Sequence, residues 1–217
     1  MIMQLLGGWI GGYILGSLPT GLGWAWLLKR IDVRQHGSGR TGGTNVWRNA
    51  GFVAALLTAL TDGLKGAAAI WLARFLGLDP WGVAIAGAFA VLGHNYSLFL
   101  KFHGGAGTAT SVGAASALWL PALPWLLGLG VLAGLLVGHA SVASILVALA
   151  LPVIFLLHGA PAHAVGFGLP TMLLTLWALR PNIIRLAHRA ERFLPIYCKK
   201  PPLIRLSQHP AARRGRS

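Results

Sequence analysis

The feature that most constrains this chain is a long stretch without charge. No Asp, Glu, Lys or Arg occurs from Phe102 to Leu179, a run of 78 residues. Only 10% of the whole chain is charged, whereas soluble domains have about 25% charged residues. Because a membrane-spanning helix needs about 20 mostly apolar residues, the run is too long for two spans. The sequence therefore predicts an all-α integral membrane protein.

Polar and proline-containing breaks divide the chain into seven predicted transmembrane helices. The breaks at Pro121–Pro124, Gly138–Ser141 and His158–Pro161 split the uncharged run into four short spans. The seven spans are 3–28, 52–76, 81–100, 108–120, 122–138, 142–158 and 161–179. Pro19 and Gly21 are expected to kink the first span. The small residues of that span, which predict close helix packing, are Gly7, Gly8, Gly11, Gly12, Gly16 and Ser17.

The positive charges predict how these spans are oriented. With the N-terminus outside, sixteen of the eighteen Lys and Arg residues fall in cytoplasmic loops or in the tail, as the positive-inside rule requires. The net charge of +14 does not indicate nucleic-acid binding, because the cations lie between apolar runs rather than on a soluble face. We expect a membrane domain at 1–195 and a basic cytoplasmic tail at 196–217. The single cysteine, Cys198, excludes an intramolecular disulfide.

The most polar segment before the tail is the glycine-rich stretch from Gly37 to Gly51, GSGRTGGTNVWRNAG. Glycines allow successive backbone N–H groups to form a concave nest that binds anions. The side chains that add hydrogen-bond donors or positive charge are Ser38, Arg40, Thr41, Thr44, Asn45 and Arg48. This segment predicts a phosphate-binding loop beside the membrane.

Three further segments are expected on the same, cytoplasmic side. They are the loop HGGAG (103–107), the segment HASVAS (139–144) and the start of the tail (180–185). Gly104, Gly105 and Gly107 precede a predicted helix, whose N-terminal N–H groups could bind a second anion. A tight turn is the alternative explanation for the same glycines. Because two such loops fall on one face, a two-anion pocket is the stronger interpretation.

Candidate catalytic groups are few. No two carboxylates are paired in a loop, and the histidines show no metal-ligand spacing, so we expect neither a metal nor a cofactor. His94 is the best candidate for acid–base or hydrogen-bond chemistry, and a packed histidine is the alternative. Asp62 and Lys65, three residues apart in the second span, are either functional or an ion pair that orients the helix.

Five motifs in order resemble those of one enzyme family: GSGRTGGTNVWR, TDGLKGA, GHNYSLFLKFHGGAGTAT, SVAS and RPNIIRL. The chain is similar through Arg189 to the bacterial acyl-phosphate:glycerol-3-phosphate acyltransferases, the PlsY family. The resemblance implies a seven-span enzyme of the bacterial inner membrane. Such an enzyme transfers an acyl group from acyl phosphate to the sn-1 hydroxyl of glycerol 3-phosphate, giving lysophosphatidic acid for phospholipid synthesis. It also implies an acyl-chain groove between spans that is open to membrane lipids.

The resemblance further implies roles for individual residues. Ser38, Arg48 and Asn182 would hold the glycerol phosphate. The residues that would form the pocket for the acyl-phosphate group are Thr44, Asn45, Gly104, Gly105, Gly107 and Ser144. No side-chain base is implied, because the phosphate of the substrate assists the attacking hydroxyl.

The chain departs from the family pattern at five positions. Arg40 replaces an asparagine, Ala106 a lysine, Leu179 a histidine, Pro181 a glutamate, and Gly138 a basic residue. One hypothesis is that Arg40 substitutes for the missing lysine. An alternative is a family member that has lost catalysis and serves as a structural or lipid-binding subunit of a larger membrane protein complex. A transporter of small anions is a third interpretation, but neither symmetric repeats nor paired broken helices occur.

Overall fold

The computed structural model describes residues 2–197, and this range contains ten α-helices and no strand. The helices are α1 (Ile2–Ser17), α2 (Thr20–Lys29), α3 (Gly43–Ala50), α4 (Phe52–Phe75), α5 (Pro80–Asn95), α6 (Thr108–Leu118), α7 (Ala122–Val137), α8 (Ala140–Leu157), α9 (Ala162–Ala178) and α10 (Arg180–Ala187). Of the predicted tail at 196–217, only Ile196 and Tyr197 belong to the described residues. Cys198 lies outside them.

The first predicted span is two helices, so the expectation of one kinked helix over 3–28 is wrong. α1 ends at Ser17 and α2 begins at Thr20, because Pro19 has no N–H to continue the helical ladder. The carbonyl of Leu18, exposed at this break, accepts hydrogen bonds from the Thr20 N–H at 2.9 Å and from Lys65 Nζ at 3.0 Å. A lysine from another helix thus stabilises the break.

Three stretches of the described chain are long and apolar enough to cross a membrane. They are α4, the segment Pro80–Leu100 that includes α5, and α8. α9 and α10 together would make a fourth, bent by 57° between them, and α7 is a shorter apolar helix. The helix bounds of α4 and α6 to α9 agree with the predicted spans to within two residues.

Glycines allow α1 and α5 to meet backbone against backbone. A Cβ placed on Gly16 would collide with the backbone of Ala90, and one placed on Gly12 would collide with the backbone of Ala86. α4 and α6 meet in the same way at Gly66 and Thr110. The predicted close packing of the small residues is therefore confirmed for Gly12 and Gly16, and it fixes α5 tightly in the bundle.

Replacing Gly16 with alanine is expected to lower the stability of the protein by about 1–3 kcal/mol, because the new methyl group must push α1 away from α5. Gly128→Ala is the matched control, since nothing lies within 4 Å of a Cβ at that helical position. Thermal unfolding of both variants in the same detergent measures the difference. Equal melting temperatures for the two variants would contradict the backbone contact.

Candidate functional site

Four polar segments meet at one end of the helix bundle, which we call the loop face. They are residues 37–50, residues 101–107, residues 138–141 and the chain from α10 to Tyr197. Gly42 approaches Gly105, since a Cβ on Gly42 would lie 3.9 Å from the Cα of Gly105. Leu194 N–H donates to the Gly138 carbonyl at 2.7 Å. The first two of these segments are therefore in contact with each other, and so are the last two.

The amide of Asn45 organises the loop before α3. Its Nδ2 lies 3.0 Å from the carbonyls of Val33 and His36 and 2.9 Å from that of Arg40, while its Oδ1 accepts the Ser38 N–H at 3.1 Å. The Asn45 side chain is only 3% exposed. Gly37 and Gly39 have φ angles of 62° and 71°, which favour glycine. Asn45 therefore shapes the loop through its backbone, while Ser38 remains exposed.

The glycine loop 104–107 is pinned to the end of α5. Gly104 N–H donates to the Asn95 carbonyl and Gly105 N–H to the His94 carbonyl, both at 3.0 Å. These two N–H groups are therefore occupied and are not available to an anion. The lack of a Cβ matters instead, because one on Gly105 would overlap the His94 ring. The amides left for an anion are those at the start of α6, beyond Gly107.

Buried charges connect the glycine loop to the α1–α2 break. Asp62 accepts hydrogen bonds from Thr20 Oγ1 at 2.5 Å and pairs with Lys65 Nζ at 2.8 Å, and His94 Nδ1 lies 3.5 Å from the same carboxylate oxygen. Asp62, Lys65 and His94 are all buried. The Asp62–Lys65 pair thus joins α4 to α2 and α5. His94 lies between this pair and Gly105, a geometry that favours positioning over direct proton transfer.

The segment Ala190–Tyr197, which we call the strap, crosses the loop face. Arg48 Nη2 donates to the carbonyls of Arg192 and Phe193 at 3.2 and 3.1 Å. His139 Nδ1 lies 3.1 Å from the Arg192 carbonyl, and the His139 ring stacks on Phe193 at 4.4 Å. The strap therefore holds α3 beside the start of α8.

Glu191 is a site residue that the sequence did not predict, and Arg185 was expected on this face only as part of the segment 180–185. Glu191 is 4% exposed, accepts from Arg185 Nε at 2.8 Å and accepts from Asn182 Nδ2 at 3.0 Å. The contact with Glu191 places predicted Asn182 at the strap. The available signal was composition, because Glu191 is one of only four acidic residues and follows the RPNIIRL motif closely.

Arg40 lies at the end of α9, where the structure gives it a partner that the sequence did not predict. Its Nη2 donates to the Ala178 carbonyl. Pro181 has no N–H to continue the α9 ladder, so the chain bends there into α10. Burial lowers the pKa of the Arg40 guanidinium, and the neighbouring charge of Arg185 lowers this pKa further. The negative charge of Glu191, which pairs with Arg185, raises the pKa of Arg40.

The remaining predicted residues line the same face but make fewer contacts. Thr44 in α3 and Ser144 in α8 are half-buried, as is Ala106. Leu179, which replaces the family histidine, is buried at 3% exposure. No group of three His, Cys, Asp or Glu residues able to hold a metal ion occurs within residues 2–197.

An apolar groove of about 820 Å³ runs between α5 and α9. Its walls include Ile85, Phe89 and Leu92 of α5 and Pro170, Leu174 and Trp177 of α9. Arg180 lies at the loop-face end. Asn95 Nδ2 donates to the Leu174 carbonyl at 3.1 Å, so the groove begins directly beside the glycine loop. The site therefore combines a cationic, amide-rich face with an apolar channel.

The chain is similar to known proteins over most of its length. Residues 6–189 match the model of the family described as glycerol-3-phosphate acyltransferase. It is 43% identical over 187 residues to the glycerol-3-phosphate acyltransferase of a Synechococcus strain, covering 84% of this chain and 90% of that protein. It is 41% identical over 184 residues to that of Rubrobacter xylanophilus, covering 83% and 90%.

Solved structures show the same architecture. One is the crystal structure of PlsY, an integral membrane glycerol 3-phosphate acyltransferase, in its glycerol 3-phosphate form. This chain superposes on it with a TM-score of 0.81 at 31% identity, covering 88% of this chain and 95% of that one. The lysophosphatidic acid form of PlsY gives a TM-score of 0.80 at 30% identity, covering 87% and 94%.

Proposed function

The chain belongs to the glycerol-3-phosphate acyltransferase family, and from this premise we propose that it transfers an acyl group from acyl phosphate to the sn-1 hydroxyl of glycerol 3-phosphate. The product is lysophosphatidic acid, a precursor in phospholipid synthesis. One observation carries the proposal: the family match over residues 6–189 covers every segment of the loop face except the strap, and the glycerol 3-phosphate form of PlsY has the same fold. The alternative of a non-catalytic subunit of a larger complex is not favoured by this similarity.

The membrane placement follows the same proposal. The protein crosses a bacterial inner membrane seven times, through α1, α4, α5, α6, α7, α8 and α9, with the N-terminus outside and the loop face in the cytoplasm. The Arg40, Arg48 and Arg185 side chains on the loop face support this orientation, because cations collect on the cytoplasmic side. α2, α3 and α10 would then lie at the membrane surface.

The proposed binding roles combine the family pattern with the geometry. Arg48, Asn182 and Ser38 hold the phosphate of glycerol 3-phosphate beside the strap. The acyl-phosphate group binds between α3 and the start of α6, near Thr44, Gly107 and Ser144. Asn45, Gly104 and Gly105 act there by shaping the backbone, which is supported by the hydrogen bonds that already occupy their polar groups.

All four acidic side chains are already hydrogen-bonded, which favours a reaction without a side-chain general base. Each of the four acidic side chains accepts a hydrogen bond: Asp32 from Arg34, Asp62 from Thr20, Asp79 from the Gly82 N–H, and Glu191 from Arg185. The proposed reaction therefore relies on positioning and charge stabilisation. The sn-1 oxygen bonds to the acyl carbon, the bond from that carbon to the phosphate oxygen breaks, and the hydroxyl proton leaves on inorganic phosphate.

The test is an assay of purified protein with acyl phosphate and glycerol 3-phosphate. We expect one inorganic phosphate released for each lysophosphatidic acid formed, and no lysophosphatidic acid when glycerol 3-phosphate is omitted. Protein that is folded, as judged by a cooperative thermal transition, but forms no lysophosphatidic acid would overturn the proposal.

Arg40 is expected to contribute to substrate binding in place of the lysine absent at Ala106. Arg40→Ala should raise KM for a phosphate-bearing substrate by roughly 10- to 100-fold, because a charge-assisted hydrogen bond is worth about 1.5–3 kcal/mol. The double variant Arg40→Ala with Ala106→Lys should recover most of the loss. Unchanged steady-state kinetics for Arg40→Ala would contradict a role in substrate binding and would leave Arg40 only its contact with the end of α9.

A further inference from the structure

One indole ring, that of Trp81, lies between α5 and α9 just beyond the far end of the groove. Trp81 lies one helical turn before Ile85, and Gly166 lies one turn before Pro170. A Cβ on Gly166 would collide with the Trp81 ring, so the ring rests directly on the backbone of α9. Trp81 therefore fills the space between the two helices immediately beyond the outermost groove residues.

The same groove opens at its other end beside the proposed reaction site. Leu92 and Trp177 line that end, and Asn95 links it to the glycine loop through its carbonyl, which accepts the Gly104 N–H. An acyl chain whose carbonyl lies at the glycine loop would thus run along α5 toward Trp81. Phe89 gives this path a fixed wall, since it stacks against Trp9 of α1 at 6.0 Å.

The length of the groove can be read from the rise of α5. From Leu92 to Trp81 the helix advances about 16 Å, at about 1.5 Å per residue. An extended hydrocarbon advances about 1.3 Å per carbon, the projection of a C–C bond of about 1.5 Å. About 13 carbons therefore fit between Leu92 and Trp81, and the first carbons lie beside Asn95.

Building on the proposed function, we propose that Trp81, seated on Gly166, sets the acyl-chain length that the enzyme accepts. Chains of about 14–16 carbons fill the groove to the indole ring. Longer chains must bend out of the groove into the lipid and lose the contacts beyond that point. Trp81 is a specificity-determining residue, and it takes no part in the chemical step.

The competing explanation is that Trp81 only anchors the protein at the membrane interface, where tryptophan is enriched. Trp71 provides the matched control. It lies near the end of α4 away from the loop face, is 54% exposed compared with 52% for Trp81, and does not line the groove. An interfacial role would give Trp71→Ala and Trp81→Ala the same effect.

The experiment measures kcat/KM for tetradecanoyl, hexadecanoyl, octadecanoyl and eicosanoyl phosphate in one detergent. Trp81→Ala should raise the ratio of octadecanoyl to tetradecanoyl kcat/KM roughly tenfold, since each methylene in a pocket is worth at least that order. Trp71→Ala should leave the ratio unchanged. Ile85→Trp, which blocks the groove one turn earlier, should shift the preference toward shorter chains. The proposal would be overturned if the ratio of octadecanoyl to tetradecanoyl kcat/KM is unaltered in both single variants, Trp81→Ala and Ile85→Trp.

A binding measurement separates this proposal from the proposed function. Alkyl phosphates of the same lengths cannot transfer an acyl group, but they should raise the melting temperature of the wild type up to the length at which the chain meets Trp81. In Trp81→Ala the rise should continue to longer chains. If the wild type has no acyltransferase activity but its melting temperature still stops rising at one chain length, the proposed function is refuted and the length limit is supported. If the melting temperature rises with chain length in the same way in both proteins, the length limit alone is refuted.

Discussion

Replacing Arg48 with alanine is expected to lower kcat/KM for glycerol 3-phosphate by about 100- to 1,000-fold, the loss typical of removing one group that stabilises reaction charge. Two effects combine. The guanidinium is the proposed ligand of the substrate phosphate, and its Nη2 also bridges the carbonyls of Arg192 and Phe193 in the strap. The variant therefore loses both a cation and the contact that holds α3 to the strap. Steady-state acyl transfer at varied glycerol 3-phosphate measures the loss.

Two further variants separate charge from geometry at this position. Arg48→Lys keeps the charge but lacks the planar fork that donates to two carbonyls, so it should recover only a small part of the activity. Arg34→Ala is the control for an arginine of the same polar segment, since Arg34 pairs with Asp32 in an exposed bridge and should be nearly neutral. Wild-type kinetics for Arg48→Lys would show that the positive charge alone is sufficient.

The largest effect on stability is expected for Asp62→Ala. Asp62 is 2% exposed and Lys65 is 6% exposed, so removing the carboxylate leaves the ammonium of Lys65 buried beside Thr20 and the α1–α2 break. Removing one partner of a buried ion pair costs about 3–5 kcal/mol. We expect a large fall in the melting temperature and a low yield of folded protein in detergent.

The double variant Asp62→Leu with Lys65→Met tests whether this cost arises from the unpaired charge. Replacing both charges by apolar groups should restore most of the stability, because neither charge remains to be desolvated. Asp79→Ala is the control for a surface carboxylate. Asp79 only caps α5 through the Gly82 N–H, and losing such a cap costs about 1 kcal/mol. If the double variant is as unstable as Asp62→Ala, the loss of stability arises instead from the lost hydrogen bonds of Thr20 and Leu18.

Helix positions were largely predictable because the signals are local. The uncharged run to Leu179 and the prolines at 121, 161 and 181 set helix ends directly, since proline cannot donate to the helical ladder. The error at the α1–α2 break has the same origin. Apolar residues on both sides of Pro19 look like one span, and the contact from Lys65 that stabilises the broken form lies 47 residues away in the chain.

The segments that form the site were predictable from the sequence, but the contacts that each residue makes there were not. Asn45 was expected to contact substrate, whereas its amide is occupied by three backbone carbonyls. Gly104 and Gly105 were expected to form part of the acyl-phosphate pocket, whereas their N–H groups donate to carbonyls of α5. A motif shows which residues are gathered together, but hydrogen-bond partners depend on where each backbone carbonyl points after packing.

The sequence by itself determined that this chain is an all-helical membrane protein, which segments carry its polar chemistry, and which family those motifs resemble. Only the tertiary structure decided that Arg40 binds the end of α9, that the strap places Glu191 against Asn182, and that the Trp81 ring rests on Gly166. The physical reason is that charge and hydropathy patterns act over one or two helical turns. Each of these contacts instead joins segments that meet only through helix packing or through the fold of the chain at the loop face.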